Sequence, residues 1–290
     1  PKPSSAASDV YKRQVLKDAS MTTIIFVTGT NTDVGKTVTT ASAIAATHHQ
    51  APHLRIGLIK PAQTGEPPIP ASDLGSYHHG DHGDVAVVRQ LLGAPHHDSA
   101  QHDVQPLRVW EGVRYPEPLA PDMAARRAQQ SLLTAAQFAE IIVSAAREVD
   151  VLFVEGAGGL LVGLGEEADG SPTTLIEIAQ EVRAYAGMSV SFLLVSQPDL
   201  GMLNQCALTW RELNRAGLTM CGIVFGTWPT DPDLPMRLNA AEVERITGVP
   251  VIGKIPSGVG QIDSEQNKTM QCGSVACTSE QWWTVLPWCK

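Results

Sequence analysis

FVTGTNTDVGKTVTT, residues Phe26 to Thr40, is the stretch on which the reading of the fold turns. It departs from the phosphate-loop spelling G-x-x-x-x-G-K-[ST] at its first glycine: five places before Gly35 stands Thr30, and the glycine is one place earlier, at Gly29. The context is nevertheless that of a phosphate loop, because the apolar run TIIFVT precedes it and the helix-like TVTTASAIAAT follows. In such a loop the backbone N–H groups and the helix N-terminus surround a polyphosphate, Gly35 permits close backbone approach, Lys36 reaches the terminal phosphates and Thr37 ligates Mg²⁺. The competing reading is a glycine-containing turn with no ligand.

The rest of the chain agrees with a small-molecule enzyme. Its 290 residues, 43% hydrophobic and 18% charged, suffice for a sizeable α/β core. With 21 Lys and Arg against 30 Asp and Glu, a net charge of -9 argues against nucleic acid or an anionic membrane as partner. No apolar run reaches the roughly 18 residues of a membrane span, and no secretory apolar core is seen, so a cytoplasmic location is expected. Five cysteines without metal-type spacing fit reduced thiols.

Apolar β-rich runs alternate with helix-like segments from Met21 onward: IIFVT, IGLIK, VLFVE, SFLLV, CGIVF and VPVIGKI read as strands. The alternation predicts an α/β phosphate-loop NTPase-like fold, a doubly wound and mostly parallel sheet with helices on both faces. Residues 1–20 read as a tag or disordered extension, residues 21–258 as the phosphate-loop α/β domain, and residues 259–290 as a tail with no assignable periodicity. Between Glu66 and Gly83, the segment EPPIPASDLGSYHHGDHG reads as a surface loop; its His78, His79, Asp81 and His82 leave metal binding as the other reading.

Three further motifs carry chemistry. IGLIKPAQTG ends a strand at Lys60, at the edge where doubly wound sheets bind ligands, though alone it also suits a surface lysine. DVAVVRQLLG places Asp84 at a helix start, as a Mg²⁺ ligand or simply as an N-cap. In DVLFVEGAGGLLV a buried strand ends abruptly in Glu155, the position of a Mg²⁺-facing acid in phosphate-loop enzymes, and the glycines after it let backbone pass close to a ligand.

Taken together, GTNTDVGKT, KPAQTG, VEGAGG, YPEPLAPDMAA and QPDLGMLNQCALT resemble the dethiobiotin synthase family, over Thr22 to about Gly258. The resemblance implies ring closure of a diamine, 7,8-diaminopelargonic acid, with CO₂ and ATP, giving dethiobiotin, ADP and phosphate. It implies Lys60 and Lys36 as catalytic residues, and Thr37, Asp84 and Glu155 around Mg²⁺. Nucleotide contacts are implied for Asp33, Val34, Gly35, Lys36, Thr37, Val38, Asp84, Glu155, Gly156, Ala157, Gly158, Gly226, Thr227, Pro256, Ser257 and Gly258. Substrate contacts are implied for Thr32, Thr64 and Asn204, the last completing the site of a second subunit in a homodimer; a polar residue in a first helical turn is its bland reading. Gly226 and Thr227 stand where many members have an asparagine that reads adenine, so other nucleoside triphosphates are expected to serve alongside ATP.

Two other readings stay open. A partition-type switch ATPase usually carries an extra lysine near the start of its loop, which GTNTDV lacks. Another amidoligase of the fold, such as a cobyrinate diamide synthase, carries a glutaminase domain with a histidine, and no histidine follows His102 here.

Overall fold

The computed structural model describes residues 21–67, 82–93, 106–260, 283 and 286–289. Residues 1–20 and most of the His-rich loop, including His78, His79 and Asp81, lie outside the described residues.

Strand β1 (Thr22–Gly29) runs through the loop into helix α1 (Lys36–Gln50), followed by β2 (Ile56–Thr64), α2 (Gly83–Leu92) and β3 (Arg108–Tyr115). Helices α3 (Pro121–Arg127) and α4 (Ala135–Ala146) lead to β4 (Val151–Gly159) and a two-stranded antiparallel flap, β5 (Gly165–Glu166) and β6 (Pro172–Thr173). The chain continues as α5 (Leu175–Ala184), β7 (Met188–Ser196), α6 (Met202–Arg215), β8 (Met220–Trp228), α7 (Leu234–Thr247) and β9 (Val251–Pro256). Seven strands form one sheet in the order β3-β2-β4-β1-β7-β8-β9, with every neighbouring pair parallel. This is the doubly wound α/β architecture of phosphate-loop NTPases.

The central position of β1 follows from its composition. Ile24 and Phe26 point into one apolar layer and Ile25 and Val27 into the other, all fully or almost fully buried. A strand apolar on both faces is stable only between two helical layers. One layer holds α1 and α2, through Ala43, Ile44, Val85 and Val88; the other holds α4 and α5, through Phe138, Ile142, Ile178 and Val182. Both helices of the second layer begin with a capping box, Thr134 with Gln137 and Thr174 with Glu177, which satisfies their first free N–H groups. Because β4 and β7 flank β1, successive connections leave in opposite directions there, and a crevice opens beyond the carboxyl end of β1.

Three details depart from the sequence pattern. Strand β3 was not among the expected strands, because Arg108, Glu111 and Arg114 interrupt its apolar character; it lies at the sheet edge, paired only with β2. Strand β2 does not end at Lys60 but continues to Thr64, its register with β3 running from Gly57↔Arg108 to Thr64↔Tyr115. Pro61 is tolerated because Gly112 of β3 lies close beside it: a Cβ there would come within 2.2 Å of the Pro61 carbonyl oxygen. Part of the tail also belongs to the core. Trp283 and Trp288 are buried against α1, their indole N–H groups donating to Ser42 Oγ and Thr47 Oγ1, each at 2.8 Å. Indole N–H donors buried with partners are the reason two tryptophans fit beside a helix whose inner face carries hydroxyls.

Candidate active site

The loop Thr30–Gly35 closes over the end of β1. Its backbone is held by Thr30 N–H donating to the Val195 carbonyl at 2.9 Å and by the Gln197 amide donating to the Asp33 carbonyl at 3.1 Å. Gly35 adopts φ 91° and presses against β8, where a Cβ would lie 2.6 Å from the Gly226 carbonyl oxygen, so only glycine satisfies both demands. Helix α1 therefore starts from a glycine with no side-chain cap and no acidic residue in its first turn. Its free N–H groups and positive dipole end face the crevice, the arrangement that receives an anion.

Within a crevice of about 450 Å³ lie Thr32, Asp33, Gly35, Lys36, Thr37 and Val38 of the loop and α1, together with Lys60, Thr64, Asp84, Glu155, Ala157 and Gly158. Lys60 is the centre of its charge. Its ammonium, almost fully buried, donates to the Gly156 carbonyl at 3.0 Å and pairs with Asp84 Oδ2 at 2.5 Å and Glu155 Oε1 at 3.3 Å. Burial pulls the Lys60 pKa down, but the two carboxylates outweigh it and hold the group above its ordinary value. For Asp84, burial works to raise the pKa, and the Lys60 ammonium more than offsets this, leaving the carboxyl below its ordinary range. Lys36 lies differently: its ammonium folds back to the Asn31 carbonyl at 3.2 Å, and burial, assisted by the charge of Lys60, holds its pKa down. Glu155, Asp84 and Asp33 offset this only in part, so an arriving polyphosphate would add counter-charge at Lys36.

Glu155 and Thr37 fit a hard divalent cation. Thr37 Oγ1 donates to Glu155 Oε1 at 2.9 Å, while Glu155 Oε2 is buried and without a hydrogen-bond partner. No cluster of three or more His, Cys, Asp or Glu side chains able to hold a metal exists among the described residues. Two carboxylates and one hydroxyl are a donor set for Mg²⁺, which keeps waters and phosphate oxygens rather than occupying an all-protein cage.

Other expected residues lie elsewhere. Val34 is buried beneath the loop, and Gly156 contributes its carbonyl rather than a surface of the crevice. Gly226 backs the loop: a Cβ there would meet the Val34 carbonyl oxygen at 2.0 Å and Val195 at 2.8 Å, so no side chain fits, and any side-chain contact from this end of β8 falls to Thr227. Pro256 ends β9, Ser257 donates its N–H to the Trp228 carbonyl at 2.9 Å, and the chain after Gly258 reaches Val38, with a Cβ on Gly260 placed 2.6 Å from its side chain. Asn204 is exposed on α6 and does not line this chain's own crevice. Gln63, which the sequence reading passed over, lines it. The sequence pattern carries no signal for it, because residues three apart in a regular strand face opposite sides of the sheet, yet Gln63 and Lys60 both line the crevice.

A family model described as an AAA domain matches residues 23–260. The chain is 40% identical over 241 residues to the ATP-dependent dethiobiotin synthetase BioD of Rhodococcus jostii (strain RHA1), spanning 83% of this chain and 89% of that protein. It is 38% identical over 259 residues to the ATP-dependent dethiobiotin synthetase BioD of Saccharopolyspora erythraea, spanning 89% of this chain and 98% of that protein. Among solved structures, pNOB8 ParA bound to nonspecific DNA has a TM-score of 0.51 and 12% identity, covering 89% of this chain and 96% of that one, a likeness of fold alone.

The ion-pair centre predicts a pH signature. A depressed Asp84 pKa contributes stability above its unfolded value that is lost as pH falls through the folded pKa; a raised Lys60 pKa contributes stability below its unfolded value that is lost as pH rises through the folded pKa. Between these limits the wild-type contribution is constant. Replacing Lys60 with Met leaves the buried Asp84 carboxylate without its ammonium partner, which removes the influence that lowers its pKa and leaves burial to raise it, so the variant should gain stability on going from pH 8 to pH 5 while the wild type does not. Denaturant midpoints across that range check it, and parallel profiles would remove Lys60 as the group that holds the Asp84 carboxyl ionised.

Proposed function

The chain belongs to the ATP-dependent dethiobiotin synthetase family, and from that premise we propose that it is the ligase that closes the ureido ring of dethiobiotin from 7,8-diaminopelargonic acid, CO₂ and ATP. The observation that carries this reading is the meeting of Lys60 with Asp84 and Glu155 beside an uncapped helix N-terminus. A carbamate on one substrate amine is a poor electrophile until its oxygen takes the γ-phosphoryl group. The second amine then attacks the mixed anhydride, forms the second C–N bond and expels phosphate. Lys36 and the N–H groups of α1 hold the polyphosphate, while Lys60 offsets the negative charge that moves between carbamate and phosphate. Thr37, Asp84 and Glu155 are the residues that would hold Mg²⁺, which when bound neutralises charge on the β- and γ-phosphate oxygens. Thr32 and Thr64 line the crevice and would contact the substrate. Positioning supplies most of the rate in such transfers.

A second subunit fits the exposed face of α6. Asn204 and Leu208 are four residues apart on that helix, Leu200 lies just before it, and Leu200 and Leu208 are 82% and 58% exposed. A polar group between exposed leucines suits a homodimer contact that also delivers Asn204 to the partner's substrate. Light scattering at assay concentration should give a dimer mass, and a monomer with full activity would remove both the dimer and the role of Asn204.

Turnover tests the chemistry directly. ADP release should require both the diamine and bicarbonate; ATP hydrolysis unchanged by either would favour a nucleotide switch. Because Gly226 admits no side chain and Thr227 offers one hydroxyl, specificity constants for ATP, CTP and GTP in the same assay should fall within about a hundredfold of one another. A far steeper preference would mean that another part of the chain reads the base.

A further inference from the structure

We infer that Gln63 is a positioning residue that holds Asp84 in the site from across the crevice, doing for helix α2 what its own N-cap does not. The inference rests on the reading of Asp84 as part of the Mg²⁺-binding set.

Helix α2 starts after His82, which has the extended backbone of an N-cap but makes no side-chain cap hydrogen bond. An α-helix leaves its first N–H groups without intrahelical partners, and an N-cap side chain ordinarily accepts from the second or third. Here the second, the Asp84 N–H, donates instead to Gln63 Oε1 at 3.1 Å. Gln63 comes from β2 and is 7% exposed, so the contact is sheltered from water. Its orientation is fixed at both ends: Gln63 Nε2 donates to the Thr64 carbonyl at 3.0 Å, which leaves Oε1 facing α2. Gly83, with φ +80°, brings the helix onto the Gln63 amide so closely that a Cβ would lie 3.0 Å from Gln63 Cδ.

Asp84 is thus held at two points by one strand. Lys60 grips the carboxylate and Gln63 grips the backbone three residues further along β2. The two holds differ in what the reaction does to them. When Lys60 turns to the moving phosphoryl or carbamate oxygen it must loosen its 2.5 Å contact with Asp84, and the Gln63 contact is then the one that keeps the carboxylate in place. A residue buried for helix capping alone would affect stability only; one that keeps Asp84 aimed must also affect the metal.

The experiment is Mg²⁺-dependent ADP binding by calorimetry, without turnover, on wild type, Gln63→Met, Asp84→Asn and the double variant. Gln63→Met keeps the length of the side chain and removes the acceptor. It should weaken the Mg²⁺ dependence of ADP affinity by about tenfold, the usual scale for groups that orient a metal ligand, while ADP affinity without Mg²⁺ stays unchanged. In the double variant the two effects should not add, since Gln63 acts through Asp84. Gln63→Glu, which keeps an acceptor oxygen, should bind Mg²⁺ as well as wild type or better. A normal Mg²⁺ response in Gln63→Met, additivity with Asp84→Asn, or a Gln63→Glu variant as weak as Gln63→Met would overturn the inference. If Asp84→Asn itself leaves the Mg²⁺ response intact while wild type responds, the assignment of Asp84 to the metal fails first and takes this inference with it. If Gln63→Met does not fold, Gln63→Leu takes its place in each comparison, with the same results expected and the same results overturning.

Discussion

The burial of one ammonium between two carboxylates is the constraint that organises this molecule's chemistry. Lys60 in β2 meets Asp84 of α2 and, from the middle of β4, Glu155 and the carbonyl of Gly156, so three segments distant in sequence converge on a single Nζ. Ions taken out of water at such depth cost several kcal/mol each, and that cost is recovered only where geometry and hydrogen bonds are good. Removing one partner leaves the others charged and uncompensated. A cluster of this kind is a poor way to gain stability and a good way to store charge for a reaction, because an incoming anion can replace one carboxylate at the lysine without new desolvation.

The remaining architecture serves to present that cluster. An all-parallel sheet puts every strand's carboxyl end at the same edge, so Gly29, Thr64 and Glu155 lie together although they are far apart in the chain. Close backbone contacts set the details. Gly35 and Gly226 press loop against strand with no room for a side chain on either, and Gly112 makes the same concession to Pro61 towards the other edge of the same sheet. These contacts fix the loop while leaving the N-terminus of α1 uncovered, which is the compromise an anion site needs. Trp283 and Trp288 donate to the buried hydroxyls of α1 and also touch the sheet, at Gly253 of β9 and Phe153 of β4, so the tryptophans help pack the helix that carries Lys36 and Thr37 onto the sheet.

Much of this is legible in the sequence, for identifiable reasons. GKT after an apolar strand, an acid ending VLFVE and a lysine ending IGLIK are each local signals, and a parallel sheet necessarily gathers strand ends. What is not legible depends on pairing across the sheet. Strand β3 carries three charges and hides behind them; Glu111 is buried there with Arg114 as its ion-pair partner. The continuation of β2 through Pro61 depends on a glycine in another strand, and Gln63 lines the crevice although alternation counted from Lys60 would place it on the opposite face. Trp283 and Trp288 belong to no periodic segment, and their burial is decided by hydroxyls some 241 residues earlier in the chain. Asn204 remains outside the crevice of its own chain, as an exposed residue on α6.

Whether the buried lysine acts on the reacting group or merely holds the fold is settled by separating binding from turnover in Lys60→Ala. If Lys60 acts on charge that develops during transfer, ADP and ATP should bind within about threefold of wild type while kcat falls by about a hundredfold or more. A variant that loses nucleotide affinity and turnover in equal measure, or that turns over like wild type, would contradict the account.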